Sequence, residues 1–95
     1  MSQNRKPISE LVKDPAWQKL RISLLGQWKI NPIKCCQKLR EYLGSISNTT
    51  EDKLRIVMNY LTGSGFRHGV IKHPCIQKLR DEISLEMKKR RQTNK

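Results

Sequence analysis

The chain has 95 residues, with 20 Lys+Arg against 8 Asp+Glu, 3 Cys, 2 His and a formal charge of +12. One domain with a modest core is the expectation at this length. Its 23 Leu, Ile, Val and Phe lie above the ~20% floor below which a charged chain stays unfolded. No apolar run approaches the ~18–20 residues of a membrane span, and the start, Met1 to Lys6, lacks the apolar stretch of a signal peptide. Those absences argue against a membrane partner and for an intracellular, cytoplasmic location, or a nuclear one in a cell with a nucleus.

In chain order, Pro7, Pro15, Pro32 and Pro74 each precede a segment with apolar residues three and four apart. Proline suits a first helical turn because its missing N–H has no partner there anyway. The first segment, Pro7 to Lys13, carries only Ile8, Leu11 and Val12 and predicts a short helix. After Asp14-Pro15, residues Trp17, Leu20, Leu24 and Trp28 repeat at helical spacing, with Leu25 widening the stripe. Trp28 stays in phase beyond Gly26, so the helix is expected to continue through the glycine, with both indoles on one face. After Asn31-Pro32, the stripe is Ile33, Cys36, Leu39 and Leu43, stopped by Gly44.

The run Asn48-Thr49-Thr50-Glu51 reads as a cap with an acidic partner three positions on, opening a helix striped by Leu54, Val57, Met58 and Leu61. The Gly44 to Ser47 link is short, so this helix should lie antiparallel beside the one before it. Residues 62–69 form the longest irregular stretch. Beyond Pro74, Ile76, Leu79, Ile83 and Met87 predict a helix ending in Lys88-Lys89-Arg90-Arg91. Period-two alternation is missing throughout. The expectation is an all-α, small single-domain bundle of four to five short helices over residues 1–91, with a flexible basic tail at 92–95.

The phrase Gln-Lys-Leu-Arg recurs at Gln18, Gln37 and Gln77, without the fixed period of a repeat array. It places a cation on either side of a core leucine in each helix. Charge is even along the chain, +6 for residues 1–47 and +6 for 48–95. An excess beyond the ~2–8 suited to a small domain implies self-repulsion relieved by a polyanion. Nucleic acid, RNA or DNA, rewards such cations by releasing its condensed counterions.

The expected phosphate contacts are Lys34 and Lys38 after Asn31-Pro32, Arg67 and Lys72 near the glycine-rich loop, and Lys88, Lys89, Arg90 and Arg91. Four consecutive cations wrap around a helix as a collar, which carries little sequence information. Phe66 could stack on an unpaired base and Trp28 could anchor a partner; the competing reading puts both in the core. The connection between the last two helices is too long for a helix-turn-helix. His68, His73, Cys75, Cys35 and Cys36 lack zinc-site spacing, and the odd thiol count with adjacent Cys35 and Cys36 suits reduced cysteines. No nucleophilic signature is present, so neither enzymatic activity nor a metal or cofactor is expected. The first functional expectation is a phosphate-binding protein, alone or as an accessory subunit of a nucleoprotein complex. The other is a non-enzymatic adaptor or inhibitor that docks on an acidic partner protein.

Overall fold

The computed structural model describes residues 6–63, 66 and 71–93. Among them the chain forms an all-α bundle with no strand: α1 (Ile8–Leu11), α2 (Pro15–Leu24), α3 (Pro32–Leu43), α4 (Glu51–Leu61) and α5 (Pro74–Thr93). The expected caps form where proline follows an acceptor. Asp14 accepts a hydrogen bond from the Ala16 N–H, and Asn31 accepts one from the Lys34 N–H. Gly44 ends α3 at φ 69°, in the left-handed region that other residues enter at a cost. α5 is not short: at 20 residues it spans about 30 Å and runs to Thr93, past the expected domain limit.

Three local expectations are corrected. The second helix stops at Leu24: Leu25 is extended, and Gly26 takes φ 73°, so the glycine breaks the helix rather than being carried through it. Trp28 therefore belongs to the α2–α3 connector and not to the face of Trp17. At the fourth helix, Thr50 rather than Asn48 is the cap, accepting from the Lys53 N–H, while Asn48 closes a separate turn on the Ser45 carbonyl. Finally, Leu25 and Ile33 are exposed. Leu25 lies beyond the helix, and Ile33 falls roughly a quarter-turn away from the arc of Cys35, Cys36, Leu39 and Leu43.

Cross-links between side chains define the helix directions. Cys36 and Arg40 of α3 meet Cys75 and Glu82 of α5 in the same order, so these two helices run parallel. Arg80 donates to the Leu61 carbonyl and Arg90 to that of Thr49, so α5 runs antiparallel to α4. The antiparallel relation of α3 and α4 follows from these two. α2 packs on α3, and α1 packs on α4. Leu24, Leu39, Leu54, Val57, Leu61, Leu79 and Ile83 are fully buried between them.

All five aromatic residues join in one chain of ring contacts. Tyr42 meets Trp17, Trp17 meets Tyr60, Tyr60 meets Trp28, and Phe66 packs edge-on against both Trp28 and Tyr60 at 5.2 and 5.5 Å. The Trp28 indole N–H donates to the Tyr60 hydroxyl at 2.7 Å. Burial pushes the Tyr60 and Tyr42 hydroxyls up, and for Tyr42 a hydrogen bond to Asp14 adds to the effect.

Replacing Tyr60 with Phe leaves the buried Trp28 N–H without a partner and should cost about 1–3 kcal/mol in urea unfolding. A raised phenol supports the fold below its ordinary value of 10.0, and that support is lost as pH climbs through the folded value. Stability followed from pH 9 upward should therefore decline above about pH 10, and Tyr42→Phe should make the decline shallower.

Candidate nucleic-acid interface

The bundle has two chemically different ends. Residues 15–40 and 53–80 contain no Asp or Glu. The fold brings these two stretches together: Trp28 packs on Tyr60 and Phe66, and the Cys75 Sγ lies 3.8 Å from the Pro32 carbonyl oxygen. The beginnings of the parallel helices α3 and α5 thus share one end with the α2–α3 connector and the end of α4. Exposed Lys29, Lys34, Lys72 and Lys78 belong to this end, with half-buried Lys38 and Arg80. Parallel helices also point the positive ends of both macrodipoles the same way.

Two clefts at this end carry no carboxylate in their lining. Lys34 and Lys38, one helical turn apart, line a cleft of about 300 Å³ with Gln27, Ile30, Asn31 and Cys35. Lys72, His73 and Arg80 line another of about 410 Å³, together with Phe66, Ile71 and Gln77. His73 also caps the start of α5, its Nδ1 accepting from the Cys75 N–H. Arg80 is held in place by the Leu61 carbonyl and the Gln77 side-chain oxygen.

One carboxylate borders this end, Asp81, which lines a further cleft with Thr62, Phe66, Gln77 and Arg80. Glu10, Asp14 and Asp52 line a cleft at the other end with Lys6, Lys53 and Tyr42. Asp14 is occupied by the Tyr42 hydroxyl at 2.7 Å, and Asp81 by the Gln77 amide. Glu82, on α5 about 12 Å beyond its first residue, is clasped by Arg40 through two bonds of 2.8 and 3.1 Å. The guanidinium holds its carboxyl below the usual range.

Of the residues expected from sequence, Lys34 and Lys38 share one cleft and Lys72 lines another at the same end. Arg67 lies outside the described residues. Lys88, Lys89 and Arg91 are exposed, but nearly the length of α5 separates them from the first group. Arg90 is different. Its guanidinium bonds Glu86 and the carbonyl oxygens of Ile46, Ser47 and Thr49, which ties the last turns of α5 to the α3–α4 loop. It occupies a helical position two turns after Ile83, in phase with the buried stripe, so the collar has an inward-facing member.

Trp28 is 6% exposed and bonded to Tyr60, so it presents no ring to a partner. Phe66 is half-buried against it, with an edge on the cleft. Lys29, Lys78 and Arg80 were missed as members of the site, although the acid-free stretches that bring them together were visible in the sequence. Among the described residues no cluster of His, Cys, Asp or Glu could hold a metal ion, and no helix is long and apolar enough to cross a membrane. The chain matches no protein-family model, no curated protein and no solved structure.

Truncating Arg90 to Ala should destabilise the protein by about 1–3 kcal/mol, since three carbonyls and a carboxylate lose a charged donor. Arg91→Ala should leave the urea midpoint unchanged.

Proposed function

We propose that the protein binds nucleic acid through phosphate contacts at the basic end of the bundle, with Lys29, Lys34, Lys38, Lys72 and Lys78 as the principal cations. The observation that carries this reading is charge segregation. A chain with +6 in each half folds so that lysine-lined clefts from both halves lie at one end, where Asp81 is engaged by the Gln77 amide, while Glu10, Asp14 and Asp52 line a cleft at the other end. Cations crowded on a low-dielectric surface raise the local potential and draw in a polyanion. Long flexible lysines, with clefts rather than a protruding recognition helix, suit phosphate contact with little reading of base edges. Lys88, Lys89 and Arg91 would extend the track to a second backbone segment.

A second reading, an adaptor or inhibitor docking on an acidic protein, has its own support. Ile22, Leu25, Ile30 and Ile33 are exposed, Ile30 by 75%, in a segment that also carries Arg21, Lys29 and Lys34. Exposed apolar residues amid cations fit a partner with an apolar, acid-rimmed surface.

Binding to RNA and DNA oligonucleotides, titrated across salt concentration, tests the first reading. Affinity should fall steeply with salt, with a log–log slope of about 0.9 per duplex phosphate neutralised. The combined variant Lys34→Gln, Lys38→Gln, Lys72→Gln and Lys78→Gln should flatten that slope more than the combined Lys88→Gln, Lys89→Gln and Arg91→Gln variant. No binding of either polymer at low salt overturns the proposal. A one-to-one complex with an acidic protein that is lost on Ile30→Ser with Ile33→Ser would establish the second reading instead.

A further inference from the structure

Beyond the basic end, the three cysteines hold a feature that phosphate binding does not use. The Cys36 thiol donates a hydrogen bond to the Cys75 Sγ across the α3–α5 contact, at 2.8 Å. A covalent S–S bond is about 2.05 Å long, so the two sulfurs are within an ångström of bonding distance. They come from helices already packed side by side and fastened one to two turns further on by the Arg40–Glu82 pair. We propose that Cys36 and Cys75 form a site of reversible oxidative modification, closing to an intramolecular disulfide when the protein meets a hydroperoxide.

The environments of the two thiols set the order of events. Cys36 is buried, and desolvation, reinforced by its bond to Cys75, pushes its thiol up to about 12, so it keeps its proton at neutral pH. Of the three thiols only that of Cys75 belongs to a residue that is partly exposed; Cys35 and Cys36 are buried. Cys75 is therefore the sulfur that a small oxidant reaches. Cys75 gives up its proton to solvent as its sulfur attacks one oxygen of hydrogen peroxide; the O–O bond breaks, and the hydroxide that leaves takes up that proton as the first water, giving a sulfenic acid on Cys75. The Cys36 sulfur then attacks the Cys75 sulfur: the S–S bond forms, the S–O bond breaks, and the departing hydroxide takes the Cys36 proton as water. Two thiols and one peroxide yield one disulfide and two waters.

Cys35 is buried next to this pair but does not enter it. Adjacent residues on a helix diverge by about 100°, and its burial likewise pushes its thiol up. The cross-link would join residues 39 positions apart and enclose all of α4. It would restrict the unfolded chain and pin together the starts of α3 and α5. Its chemistry is independent of what the basic end binds.

The test uses the full chain, reduced, freed of reductant and exposed to a small excess of hydrogen peroxide. Alkylation followed by fragment mass analysis should show the alkylatable thiols falling from three to one. The remaining thiol should be Cys35, and the link should run between Cys36 and Cys75. The melting temperature should rise on oxidation and return with dithiothreitol. Cys35→Ser should cross-link as the native chain does. Cys75→Ser, at a partly exposed position that tolerates the change, should abolish the link while circular dichroism stays native. A link through Cys35, dimers joined between chains, or a Cys75 that oxidises to sulfinic acid without cross-linking would each overturn the proposal.

Discussion

The contact on which the rest of the structure depends is the packing of Trp28 on Tyr60 and Phe66. Trp28 follows the helix break at Gly26, inside a turn in which the Gln27 carbonyl accepts from the Ile30 and Asn31 N–H groups, and its indole is buried with its N–H satisfied. Aromatic pairs in edge-on geometry contribute about 0.5–1.5 kcal/mol each beyond the area they bury, and here five rings share the contacts. That chain of rings runs from Tyr42 near the end of α3, through α2 and α4, to Phe66. It sets the α2–α3 connector against the end of α4. Together with the α3–α5 contact, it brings the two acid-free stretches to one end.

Electrostatics then acts on a frame that apolar packing has built. With 20 cations and 8 carboxylates, pairing cannot neutralise the surface, and the fold spends carboxylates on internal tasks. Asp14 caps α2 and receives the Tyr42 hydroxyl, Glu82 clasps Arg40, and Glu86 orients Arg90. Exposed ion pairs contribute at most about 1 kcal/mol. These acids matter less for their energy than for where they leave the lysines unbalanced. Arg90 shows the reverse use of a cation, as a clamp on the carbonyls of a loop that has no helix of its own to satisfy them.

The α3–α5 contact joins both themes. Parallel neighbours place two helix starts side by side, so the same geometry that collects Lys34, Lys38, Lys72 and Lys78 also faces Cys36 toward Cys75. Running antiparallel, α5 would have brought its last turns rather than Cys75 and Lys78 beside the start of α3. The direction of one long helix thus decides both the charge of this end and the meeting of the thiols.

The sequence by itself determined the all-α class, four of the five helix starts at Pro7, Pro15, Pro32 and Pro74, the stop at Gly44 and most of the buried stripe. Each of these is local, set by backbone geometry or by a spacing of three and four. It also carries two further signals of the tertiary arrangement: the acid-free stretches, and the phase of Arg90 two turns after Ile83. Gly26 was ambiguous because a glycine in phase with a stripe can either be carried in a helix or end it, and only the burial of Trp28 against distant Tyr60 favoured the break. The pairing of Cys36 with Cys75 and the union of Lys34 with Lys72 were decided by tertiary structure alone. Both join residues about forty positions apart, and helix direction, which no local spacing encodes, controls whether they meet.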